Sequence, residues 1–135
     1  MRVSYLPSDL DIERVASWLS NQAYWSIGRD FQTVQRSFER SVPISVIADD
    51  GRFVGVGRLV TDGCTFGWLC DVFVEPELRG NGIGHLIAKA AVDYFADQKS
   101  FRLLLKTRDA QPVYRDVGFQ DLENPTSWMA IEQGF

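Results

Sequence analysis

A strand-like run, Leu69 to Val74, stops at Glu75-Pro76 and passes into Arg79-Gly80-Asn81-Gly82-Ile83-Gly84, after which a one-faced helical pattern starts. No other feature constrains the chain as much as this order of strand, glycine-rich loop and helix. It predicts a cluster of backbone N–H groups at a helix N-terminus, a site for a pyrophosphate. Glycines are needed there because a Cβ would hold the backbone away from the phosphates, and some positions need a positive φ. Each charge-assisted hydrogen bond contributes about 1.5–3 kcal/mol and the helix dipole about 0.3–1 kcal/mol. Spacing removes two alternatives. No Gly-Lys-Ser/Thr follows, so this is not a Walker loop. The dinucleotide pattern G-x-G-x-x-G fails because His85 stands at its third glycine position.

The rest of the chain supplies a sheet and helices to carry this loop. Arg2 to Leu6 reads as a short strand. Asp9 or Asp11 caps a helix to about Gln22, and a second helix covers about Phe31 to Arg40. Strands follow from Pro43 to Ala48, Arg52 to Thr61 and Thr65 to Val74, joined by turns at Asp49-Asp50-Gly51 and Asp62-Gly63. Beyond the loop, Ile83, Leu86, Ile87, Ala90, Ala91, Tyr94 and Phe95 lie on one helical face. Phe101 to Lys106 reads as a buried parallel strand, Pro112 to Val117 as a short helix ending at Gly118, and Trp128 to Glu132 as an edge strand. The predicted order is β-α-α-β-β-β-α-β-α-β, an α/β fold with a mixed sheet and one βαβ crossover spanning the glycine loop. Residues 1–135 read as one domain.

Composition narrows the function. The formal charge is −4, which argues against general affinity for nucleic acid. No apolar run spans a bilayer and no basic-then-apolar leader is present, so a soluble cytoplasmic protein is expected. Cys64 and Cys70, on one strand, would lie about 20 Å apart, too far for a disulfide. His85 is the only histidine, which leaves a histidine-based metal cluster or triad without support. Lys99, Arg102, Lys106, Arg108 and Arg115 crowd the C-terminal third, either as a solvated face or as an attraction for a polyanionic cofactor.

The loop, read as Arg79-x-x-Gly82-x-Gly84 after a strand ending in Val74-Glu75-Pro76, resembles the acetyl-CoA loop of the GNAT acetyltransferase superfamily. A second element, Tyr114-x-x-x-Gly118-Phe119, resembles a later motif of the same superfamily, and the element order agrees over nearly the whole chain. Tyr24, Trp25, Gly28 and Arg29, then Thr61 and Asp62, Leu69 with Asp71 to Val74, and Thr107 to Ala110 with Tyr114 together resemble a small bacterial subgroup. Relatives in that subgroup often carry a histidine where this chain has Gln111.

The resemblance implies a mostly antiparallel sheet with a parallel crossover, and an N-acetyltransferase that moves an acetyl group from acetyl-CoA to a primary amine by direct attack. It assigns the cofactor to Arg79, Gly80, Asn81, Gly82, Ile83 and Gly84, and to the backbone of Val72, Phe73 and Val74. It gives Tyr114 the protonation of the leaving thiolate. Asp109 falls beside the cofactor and more readily caps the helix that carries Tyr114. The glutamate base of many superfamily members would fall on Trp68. Freeing a lysine-like amine costs about 4–5 kcal/mol at neutral pH, so Asp71, acting through a water, is the substitute candidate. The alternative for Asp71 is a structural ion pair with Arg29 or Arg58. Strand alternation puts Asp71 on the face of Leu69 and Phe73. Asp62 reads as turn chemistry. Tyr24, Trp25 and Arg29 form the acceptor-side wall, where two aromatics and an arginine suit a substrate carrying a carboxylate. A non-catalytic acyl-CoA-binding module is the competing function. A homodimer through the final strand is left open.

Overall fold

The computed structural model describes residues 1–134. Five strands form one sheet in sequential order: β1 (Arg2–Ser4), β2 (Val42–Ile47), β3 (Phe53–Thr61), β4 (Phe66–Val74) and β5 (Arg102–Leu105). The first four are antiparallel to their neighbours, and β4 pairs with β5 in parallel. The helices are α1 (Ile12–Asn21), α2 (Phe31–Glu39), α3 (Ile83–Asp93) and α4 (Gln111–Arg115). This is the mixed, mostly antiparallel α/β sheet with a crossover at the glycine loop that the sequence predicts.

Local chemistry explains the boundaries. Asp11 and Asp30 each accept a backbone N–H three residues on, from Arg14 and Thr33, and start α1 and α2. The turn at Asp49-Asp50-Gly51 closes with Gly51 at φ 88°. Asp62 accepts the N–H groups of Cys64, Thr65 and Phe66 and the Thr65 hydroxyl, which confirms it as a turn residue.

Two cores flank the sheet. On one side α3 packs Ile83, Ile87, Ala88 and Ala91, with Phe95 just past its end, onto Ile44, Val46, Leu59 and Leu69. On the other, α1 and α2 pack Val15, Trp18, Leu19, Val34 and Phe38 onto Val56 and Phe73. The two glycines in β3 let α3 approach. A Cβ at Gly55 would lie 2.7 Å from Ile83 Cγ2, and one at Gly57 would lie 2.7 Å from Ile87 Cγ2.

Three expectations are corrected. Trp128 to Glu132 forms no strand. Met129 and Ile131 are fully exposed, and the segment is held near β5 by side chains, Arg102 over the Trp128 ring and Lys106 to Glu132 at 3.5 Å. Strand propensity without a hydrogen-bonding partner does not make a ladder. With no sixth strand among the described residues, β5 is an edge and its leucines are only half-buried. Finally, Leu69 and Asp71 do not share a face. The β3–β4 register slips between Val56↔Phe73 and Arg58↔Cys70, and Asp71 adopts φ 50°. This β-bulge turns Leu69 and Val72 toward α3 and Phe73 toward α1.

Candidate active site

The glycine loop is open. Gly82 caps α3 in a left-handed conformation at φ 83°, Gly80 adopts the same φ, and no side chain caps the helix. Arg79, Gly80, Asn81 and Gly82 are exposed, and a Cβ at Gly80, Gly82 or Gly84 would meet no atom within 4 Å. The first intrahelical bond is Leu86 N–H to Gly82 O, so the N–H groups of Ile83, Gly84 and His85 precede the helical ladder and face outward. Asn81 braces the loop by donating to Leu78 O at 2.9 Å. Arg79 folds back, its Nε donating to Val74 O at 3.2 Å and its guanidinium over the Phe73 ring. The arrangement fits a diphosphate, with space where side chains would be and unpaired donors around it.

The strand leading to the loop is unpaired where it matters. Parallel pairing of β4 with β5 covers Phe66↔Arg102 to Leu69↔Leu105 and ends there. Phe73 and Val74 are in register with Val56 and Gly55 of β3, and none of Val72, Phe73 and Val74 pairs with β5. Apart from Val74 O, which accepts from Arg79 Nε, that edge of β4 is therefore available to an extended amide-bearing ligand. The bulge at Asp71 lies at the start of this free edge.

Asp71 is caged. Its side chain is 3% exposed. It accepts from Trp25 Nε1 at 3.0 Å, from Arg29 Nη1 at 3.1 and 3.0 Å, and from Arg58 Nε at 2.8 Å. Burial alone would raise its pKa, but Arg58 and Arg29 more than offset it and hold the carboxyl below the usual value. The geometry is that of the ion pair the sequence leaves open. The same cage brings Trp25 and Arg29, predicted as acceptor-side residues, to the strand that carries the free edge. Tyr24 stacks edge-on against Trp25 at 5.0 Å, and the Arg108 guanidinium lies 3.8 Å from the Tyr24 ring centroid. The Arg108 contact has no local signal in the sequence.

Tyr114, on α4, is 9% exposed and packs against Phe119 and the α3 core. Burial pushes its phenol up to about 12, with Tyr24 adding to the effect. A groove of about 250 Å³ runs past it, lined by Leu103, Leu105, Thr107, Gln111 and Phe119. Asp109 does not cap α4. The cap is Ala110, whose N–H donates to Thr107 Oγ1 at 3.1 Å, while Asp109 lies 3.6 Å from Arg108. No side chain caps α4, and it starts one residue earlier than predicted, at Gln111. Cys70, beside Asp71, is pushed up to about 11, chiefly by burial, and both cysteines are free. Among the described residues no helix is long and apolar enough to cross a membrane, and no cluster of His, Cys, Asp or Glu suits a metal ion.

Comparison with known proteins agrees with this geometry. The family model described as "Acetyltransferase (GNAT) family" matches residues 12–119. A crystal structure of a protein from Xanthomonas campestris pv. campestris, described as belonging to the GNAT family, superposes with a TM-score of 0.88 at 34% identity, covering 98% of this chain and 92% of the other. A Mycobacterium tuberculosis protein solved in complex with CoA shares the fold, with a TM-score of 0.73 at 21% identity over 91% of this chain and 74% of that one. Thialysine N-epsilon-acetyltransferase from Bos taurus is 35% identical over 65 residues, 45% of this chain and 38% of that protein. The matches span about two fifths of the length of the curated relatives.

Proposed function

Because the chain belongs to the acetyltransferase (GNAT) family, we propose that it is a single acetyltransferase domain that moves an acetyl group from acetyl-CoA to a primary amine by direct attack. The observation that carries this reading is the continuous path formed by the open loop and the unpaired edge of β4. The loop amides from Gly80 to His85 suit the diphosphate, and Val72, Phe73 and Val74 suit the amides of the pantetheine arm. Acetyl-CoA supplies a thioester, the activated acyl group. A free N–H on the Val72–Phe73 edge would polarise its carbonyl. Tyr114 stays protonated across the neutral range and is the donor to the departing sulfur, regaining its proton from solvent. The amine nitrogen forms the new C–N bond as the C–S bond breaks, and its proton passes to water.

One feature favours direct attack over an acyl-enzyme. The Cys70 thiol is pushed up to about 11, so it is not a nucleophilic thiolate near neutrality. Asp71 has its oxygens committed to three donors, which gives it a positioning role for Trp25 and Arg29 rather than that of a base. That same commitment favours a second reading, a non-catalytic acyl-CoA-binding module. The release of free thiol from acetyl-CoA across a panel of amines separates the two. Thiol appearing in step with acetylated amine supports transfer, whereas tight binding with no release across the panel supports the module.

A further inference from the structure

We propose that Arg29 anchors a carboxylate on the acceptor, so that the substrate class is an amine bearing a free carboxylate, such as an amino acid. This rests on the transfer reading above and names the substrate that the same site selects.

Charge balance is the first observation. One buried carboxylate, Asp71, faces two guanidiniums, Arg29 and Arg58, each with a side chain only 18% exposed. Within this cage the three groups sum to one positive charge on partly desolvated guanidiniums. The second observation is where the free donors are. Arg58 spends Nε on Asp71 and Nη1 on Ser41 Oγ, and its guanidinium lies over the Phe38 ring. Arg29 meets Asp71 through Nη1 alone, and its Nε and Nη2 have no acceptor among the described residues. Its fork is therefore fixed in place with donors to spare, the form that binds a carboxylate best.

Position is the third. Arg29 borders a cleft of about 450 Å³ with Ser17 and Ser20 of α1 and Phe31 of α2, large enough for an amino acid. Glu13 and Asp30 also line this cleft. Asp30 caps α2 through Thr33, and neither carboxylate pairs with Arg29. They leave its Nε and Nη2 donors free, and their negative charge disfavours any anionic group on the ligand beyond the one carboxylate the fork would grip. Asp71, to which Arg29 Nη1 donates, is the residue before Val72, at the start of the free edge. An α- or β-amino group lies two or three bonds from its own carboxylate, a span that suits an anchor planted there.

The test uses matched pairs that differ only at the carboxylate, such as an amino acid and its amide, on the full chain. Turnover is read as thiol release with acetyl-CoA, and binding by calorimetry on the CoA-loaded protein. A preference for the free carboxylate of tenfold or more in kcat/KM or in Kd is expected. Arg29→Lys, which keeps the charge beside Asp71 but loses the fork, should shrink that preference at least fivefold. Equal or better use of the amides by the native chain overturns the proposal while leaving acetyl transfer intact. Absence of turnover with every amine counts against the transfer reading, and calorimetry then decides the anchor alone: no preference for the carboxylate overturns it.

Discussion

The guanidinium carbon of Arg108 lies 3.8 Å from the centroid of the Tyr24 ring, joining the segment between α1 and α2 to the segment between β5 and α4. Trp25 continues the link, edge-on to Tyr24 and hydrogen-bonded to Asp71. The proposed acceptor-side wall is thus tied at one end to the β4 bulge and at the other to the segment that leads into α4.

Removing the middle of that wall should affect the acceptor more than the cofactor. Tyr24→Ala is expected to raise KM for the amine about tenfold, in keeping with the loss of a cation–π contact of about 0.5–1 kcal/mol and an aromatic pair of similar size. The Kd for CoA should stay within twofold. Steady-state kinetics with calorimetry measures both.

Tyr114→Phe keeps the ring that packs against Phe119 and removes only the proton donor. Turnover should fall by about 10²–10⁴-fold with cofactor affinity unchanged. In the native chain the phenol, pushed up to about 12, stays protonated well above neutrality. The pH profile of kcat should therefore show no falling limb from this group below about pH 10. An unchanged kcat in the variant would remove Tyr114 from the chemistry.

The loop offers a substitution free of strain. Gly84 has an ordinary φ and open space where a Cβ would go, whereas Gly82 adopts φ 83°. Gly84→Val should abolish acetyl-CoA binding with little change in the unfolding midpoint. Gly82→Val should also abolish binding and lose about 1–2 kcal/mol from the left-handed backbone. Calorimetry and urea unfolding separate the two effects.

Asp71→Ala leaves two guanidiniums without their carboxylate and should cost about 3–5 kcal/mol in urea unfolding. Asp71 has a folded-state pKa below its ordinary value of 3.8. Its contribution is therefore present above that ordinary value and is lost as pH falls through the folded value. The native chain should lose stability below about pH 4, and Asp71→Asn should flatten that limb. An acid limb of equal slope in the variant would place the linkage elsewhere.

What could be read in advance was what local rules govern. The glycine loop, the strand–loop–helix order and the apolar face of α3 follow from spacing and periodicity, and the structure holds them. The bulge at Asp71 was not legible, because a register slip between β3 and β4 depends on pairing across the sheet, not on alternation along one strand. Asp71, Trp25 and Arg29 could each be singled out, but Trp25 Nε1 meeting Asp71 is a contact across 46 residues. Trp128 to Glu132 has the composition of a strand and pairs with no strand among the described residues. Asp109 was the more familiar capping residue, yet no side chain caps α4: its N-cap is Ala110, whose own N–H donates to Thr107 Oγ1.

Backbone amides of the loop and of the free β4 edge are the proposed hold on CoA. Titrating CoA into ¹⁵N-labelled protein tests it directly, amide by amide. The largest shifts should fall on Gly80 to His85 and on Val72 to Val74. If those amides stay fixed while others move, the ligand sits elsewhere and the account of the site fails.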